Sequence, residues 1–146
     1  MRERTKALAF VAVWLTSLLV LVAAMGRPAD LHAPAAGIRV DLTVRGDGWT
    51  IEYRPEGTLN GTVFSILREA NETLGFDLRW VEYGWPYDDV YVTSINGSRN
   101  DGSRGLWWQY CVNGEYASQG AQHQEVRDGD AVLWTYAPPG GVELCG

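Results

Sequence analysis

Aromatic side chains are the main chemical resource of this sequence. Beyond residue 25 it holds Trp49, Trp80, Trp85, Trp107, Trp108 and Trp134, with Tyr53, Tyr83, Tyr87, Tyr91, Tyr110, Tyr116 and Tyr136. Such rings stack on a flat or ring-bearing ligand, and they also fill the core of a small sheet; both uses stay open at this point. Groups for bond making are scarce. His32 lies in a Pro- and Ala-rich stretch and His123 in a polar one, where a solvated loop histidine is expected. Glu69 and Glu72 share a helix face as solvated charges. Asp128 and Asp130 flank Gly129 and could touch calcium, but a calcium loop needs six or more oxygens, so a turn is the better reading. No glycine-rich phosphate loop occurs. With no nucleophile beside a base, no carboxylate pair and no metal cluster, the chain is read as not an enzyme, with no catalytic or metal-binding residues and no cofactor.

The elements that would position those rings follow from periodicity. Ile38, Val40, Leu42 and Val44 alternate with polar residues as in a half-buried strand, and Gly46-Asp47-Gly48 turns it into a second one through Trp49, Ile51 and Tyr53. Residues 62–74 place Val63, Ile66, Leu67, Ala70 and Leu74 at helical spacing, with Arg68 and Glu72 as an i,i+4 pair and Gly75 as the stop. Strands are expected over 76–83, 90–95, 106–112 and 131–136. The intervening residues 96–105 are polar and read as a surface loop. Within 106–112, Trp108 and Tyr110 face one way, Trp107 and Gln109 the other, so one tryptophan is core and its neighbour is a candidate for a ligand surface. One helix among six strands predicts an α+β domain, a mostly antiparallel sheet with one covering helix.

Composition places this domain outside the cytoplasm. Arg2, Arg4 and Lys6 precede 19 uncharged residues, 7–25. That is longer than the roughly 7–15 apolar residues of a secretory signal and close to the about 20 of a bilayer span. An uncleaved signal anchor is favoured over a cleaved signal, with the C-terminal bulk extracytoplasmic at the cell membrane, or secreted if the segment is cut. Residues 26–37 read as a tether, 38–137 as the domain and 138–146 as a tail. Cys111 and Cys145 suit one disulfide, two free thiols being the alternative. Asn60, Asn71 and Asn96 head Asn-X-Ser/Thr sequons, glycosylation acceptors in a host that modifies surface proteins. Residues 26–146 carry 9 basic against 17 acidic side chains, which argues against a nucleic-acid partner.

Several of these segments together resemble a known family. Val92-Thr93-Ser94-Ile95-Asn96-Gly97, Trp108-Gln109-Tyr110-Cys111-Val112-Asn113-Gly114, Gly120-Ala121, Asp128-Gly129-Asp130 and Trp134-Thr135-Tyr136 resemble the transcobalamin-like C-terminal domain, with the helix of 62–74 at the family's place. The resemblance spans about residues 38–136 and implies a β-grasp-like fold. It implies a ligand too, since in transcobalamin this domain covers one side of a bound cobalamin with the Trp-bearing strand and the loop after it. The matching positions here are Trp108, Gln109, Gln119 and Gly120; Tyr116 shares the loop without matching the motif. The helical barrel domain that makes the other corrinoid contacts has no counterpart in these 146 residues, which implies weaker binding. Two functions follow as expectations: a membrane-anchored module binding a corrinoid or another ring-bearing small molecule, or a display domain docking onto a surface protein.

Overall fold

The computed structural model describes residues 37–146. The hydrophobic segment of 7–25 and all of the tether but its last residue lie outside them. Among the described residues no helix is long and apolar enough to cross a membrane. The chain forms strands β1 (Asp41–Arg45) and β2 (Thr50–Tyr53), helix α1 (Val63–Leu74), strands β3 (Leu78–Tyr83), β4 (Asp89–Ile95), β5 (Ser98–Arg99), β6 (Trp107–Val112), β7 (Glu115–Tyr116) and β8 (Ala131–Ala137), and a 3-10 turn at Gly141–Cys145. Five strands make one sheet in the order β2-β1-β8-β6-β7, and β3-β4-β5 make a second. This is the expected α+β domain with one helix and mainly antiparallel pairing.

One pairing departs from the antiparallel rule. β1 and β8, from opposite ends of the domain, lie parallel, with Leu42 beside Val132 and Val44 beside Trp134. Alternation reveals that both strands bury one face, but it carries no direction. The parallel arrangement gives the mixed sheet its β-grasp-like character.

α1 starts and stops where local chemistry dictates. Thr62 caps it, its Oγ1 accepting from the Ser65 N–H at 3.2 Å while Ser65 Oγ accepts from the Thr62 N–H at 2.9 Å. Gly75 ends it with φ 77°, a left-handed conformation that costs glycine little. Val63, Ile66, Leu67 and Ala70 are buried in one cluster with Leu42 and Val44 of β1, Val92 and Ile95 of β4, and Val132 and Trp134 of β8. Each large aliphatic side chain in it contributes roughly 1.5–3 kcal/mol. Leu74, spaced for the core, sits half-exposed at the last turn. Glu69, on the polar side, is held by the hydroxyls of Tyr53 and Thr58 and the Asn60 amide, fastening residues 53–60 to the helix. Burial pushes its carboxyl up, but those three hydrogen bonds outweigh it and hold it below the usual range.

Three short elements escaped the sequence reading. Asn96-Gly97 and Asn113-Gly114, all with positive φ, turn the chain into the two-residue strands β5 and β7, too short to show an alternation. Residues 96–105, expected as loop, thus include β5. The third is the C-terminal turn, which Cys145 binds to Cys111 of β6 with a Cα–Cα distance of 5.7 Å. The tail is therefore part of the domain. Closing that 34-residue span contributes about 3–4 kcal/mol in the chain-entropy account. Cys145→Ser should lower the urea unfolding midpoint accordingly, and reductant should do the same to the unsubstituted protein while leaving the variant unchanged. Equal midpoints for the two proteins would remove the disulfide from the list of stabilising contacts.

Candidate functional site

Strand β6 carries two of the five residues singled out for ligand contact, Trp108 and Gln109, and both are covered. Trp108, 5% exposed, lies against Tyr136 at 5.2 Å and Trp49 at 5.9 Å between ring centroids. Its indole N–H donates to the Ser98 carbonyl at 2.8 Å and its backbone N–H to Asn100 Oδ1 at 2.8 Å. Tyr110 stacks near Trp134 at 5.2 Å and donates its hydroxyl to the Gln119 carbonyl at 2.6 Å. Burial first, and the nearby Asp89 carboxylate second, push the Tyr110 hydroxyl far above its ordinary pKa, so it remains a donor. The structure therefore places Trp108 in the core. Its polar edge is already engaged, and no ring face is left for a ligand.

On the opposite face, Gln109 is 8% exposed and donates from Nε2 to the Ala137 carbonyl at 2.9 Å. Its Oε1 accepts from the Tyr116 hydroxyl, also at 2.9 Å. Gln109 thus fixes the half-exposed Tyr116 ring at the edge of the sheet. Tyr116 and Gln119, with Val112 below and Ser118, His123, Gln124 and Arg127 around them, line an open groove of about 580 Å³. That lies within the roughly 300–1,000 Å³ of small-molecule sites. The rim is polar, with Glu115, Glu125 and Asp130 offset in part by Arg127. Among the described residues no three His, Cys, Asp or Glu side chains come together to hold a metal ion.

The loop that forms the far wall is braced by backbone contacts. The Ala121 carbonyl accepts from Phe64 N–H and the Gln124 carbonyl from Val63 N–H, both at 3.0 Å, so the loop occupies the open donors at the start of α1. Gly120 does not line the groove. A β-carbon built there would lie 1.4 Å from Oδ2 of Asp89, so the carboxylate of β4 seats where only hydrogen fits. The Asp-Gly-Asp segment is also a joint. Asp128 Oδ1 accepts from the Arg39 N–H at 2.8 Å, and Asp130 accepts from Asn113 Nδ2 at 2.8 Å and from the Arg127 N–H at 2.7 Å.

Of the five sequence-derived ligand residues, the fold brings Tyr116 and Gln119 to one groove and buries Gln109 behind it, bonded to the Tyr116 hydroxyl. Trp108 goes to the core and Gly120 to the strut behind the loop. His123, read from the sequence as a solvated loop histidine, and Gln124 and Arg127 are groove residues the sequence did not assign to ligand contact, since only their shared loop with Gln119 could have pointed to them. Of the sequon asparagines, Asn60 and Asn71 spend their amides on Glu69 and on the Phe76 carbonyl, whereas Asn96 is exposed at the β4–β5 turn.

A β-grasp-like sheet with one helix and a groove at its β6–β7 edge defines a small module of the transcobalamin-like C-terminal type. The chain belongs to the family described as Domain of unknown function (DUF4430), whose model matches residues 60–137. It is similar to the crystal structure of a candidate metal-binding protein from Ruminococcus gnavus ATCC 29149, with 23% identity and a TM-score of 0.55 over 70% of this chain and 99% of that one; at this identity the likeness concerns the fold. It is also similar to haptocorrin in complex with Cbi, with 26% identity and a TM-score of 0.53 over 68% of this chain. The match spans only 25% of the haptocorrin chain. No curated protein matches the sequence.

The Gly120–Asp89 contact gives a direct check on the strut. Gly120→Ala should destabilise the domain by about 1–3 kcal/mol, as overpacking does. Adding Asp89→Ala should recover part of that loss, a less-than-additive pair in urea unfolding. Additive losses would mean that the two residues do not share a site.

Proposed function

We propose that this protein is a membrane-anchored, extracytoplasmic binding module whose groove beside β7 takes a ring-bearing small molecule fringed with hydrogen-bonding groups, a corrinoid such as cobalamin being the leading choice. The observation that carries this reading is the Gln109–Tyr116 hydrogen bond at the groove edge, which presents one face of a phenol ring next to Gln119. A ring stacked there gains apolar contact, and amides around its edge can meet Ser118, Gln119 and Gln124. The likeness to haptocorrin, solved with bound Cbi, supports the choice of ligand class. Binding rather than catalysis is favoured because the groove's ionisable groups are a lone histidine, one arginine and rim carboxylates, without a nucleophile-and-base arrangement. An open groove contacts one side of a ligand only, so modest affinity is expected. The anchor and the location outside the cytoplasm rest on the 19 uncharged residues behind Arg2, Arg4 and Lys6.

Equilibrium dialysis of the full chain in detergent against cobalamin tests the reading. Saturable binding is expected, weakened by about tenfold in Tyr116→Ala, the upper range for an aromatic contact. Trp49→Phe, a change inside the core, should bind like the unsubstituted protein. Absence of saturation up to about 1 mM cobalamin, a standard free energy of roughly −4 kcal/mol, would overturn the assignment.

A further inference from the structure

The hairpin of β3 and β4 carries a second groove that shares no lining residue with the first. Tyr83, Tyr87, Asp89, Val90 and Tyr91 enclose about 320 Å³. The register sets Tyr83 opposite Asp89 and Val81 opposite Tyr91, which puts these side chains on one face. Trp85, 94% exposed, and Tyr87, 74% exposed, stand in the connecting turn. The domain buries Trp108, Tyr110 and Trp134, yet it leaves these rings in water, together and not scattered.

The charge around them is one-sided. Residues 80–98 contain Glu82, Asp88 and Asp89, and no lysine, arginine or histidine. None of those three carboxylates forms an ion pair among the described residues, although Asp41, Glu52, Glu72, Asp77 and Asp128 all do. Residues 80–95 also lack asparagine and glutamine, so the groove offers π faces and acceptors with few donors.

From the exposed tyrosine cluster and its unpaired carboxylates we infer that the β3–β4 hairpin binds a small organic cation, an alkylammonium group seated between the tyrosine rings. Ring quadrupoles attract a cation over their faces, alkyl substituents fill the apolar space, and Asp88 and Asp89 supply the long-range field. An anion is repelled by the same carboxylates. A sugar hydroxyl needs donors as well as acceptors, and the side chains lining the groove have only the phenol hydroxyls to give.

Choline and its neutral isostere 3,3-dimethylbutan-1-ol are the probes, titrated into the full chain at constant ionic strength and followed by tyrosine and tryptophan fluorescence. Choline should saturate the signal in the millimolar range, and the neutral analogue should bind at least about tenfold more weakly. Tyr87→Ala should weaken choline about fivefold or more while Tyr87→Phe, which keeps the π face, stays within about twofold. Asp88→Asn should weaken it about threefold, with unchanged near-ultraviolet circular dichroism certifying the fold. Equal binding of the neutral analogue, indifference to Tyr87→Ala, or no saturation by about 100 mM choline would each overturn the inference.

Discussion

Strand β6 is enclosed on both sides, and the remaining architecture is arranged around that fact. Toward the helix, Trp108 and Tyr110 interleave with Trp49, Trp134 and Tyr136. Away from it, Cys111 is bonded to Cys145 of the C-terminal turn, and Gln109 is spent on Ala137 and Tyr116. Asn100 then ties this strand to the second sheet, donating to the Val92 carbonyl at 2.9 Å and accepting from Trp108 N–H at 2.8 Å. A part-buried amide that satisfies one backbone group on each sheet is costly to lose, because both backbone groups would lose their protein partner. The consequence for function is geometric. A strand without a free face cannot be a stacking platform, so the open groove lies instead beside its hairpin partner β7 and the loop beyond.

That loop is held from three directions. Tyr110 reaches its Gln119 carbonyl, the first amides of α1 reach the Ala121 and Gln124 carbonyls, and Asp89 of β4 closes on Gly120. Helix, five-stranded sheet and three-stranded sheet thus all set the position of one wall of the groove. Preorganisation of this kind reduces the ordering cost of binding, which matters when a ligand is met on one side only. Asp89 also lines the aromatic groove of the β3–β4 hairpin, so one carboxylate braces the loop of the first groove and lines the second.

Much of this was legible in the residues, for identifiable reasons. Alternation in residues 38–44 and 131–136 marks strands because each buries one face, and Val63 to Ala70 marks a helix because its apolar spacing matches one stripe. The motif set behind the transcobalamin-like resemblance is legible as fold: Trp108, Asn113, Gly120, Asp128 and Asp130 all turn out to be joints between elements. The same property hid the site. Motif residues selected for making turns and packing need not touch a ligand, so Trp108 and Gly120 lead to the architecture, whereas Tyr116, outside the motif, faces the groove. The parallel pairing of β1 with β8 and the burial of Gln109 depend on contacts between distant segments, which no local pattern encodes.

The proposed binding puts the ligand at the β7 edge and not on the tryptophan-bearing strand. Nitrogen-15 correlation spectra of the full chain titrated with cobalamin read both places at once. Progressive shifts of the Tyr116, Gln119, His123 and Gln124 amides are expected while the indole N–H of Trp108, bonded to Ser98, stays where it is. A moving Trp108 indole with unmoved groove amides would contradict it.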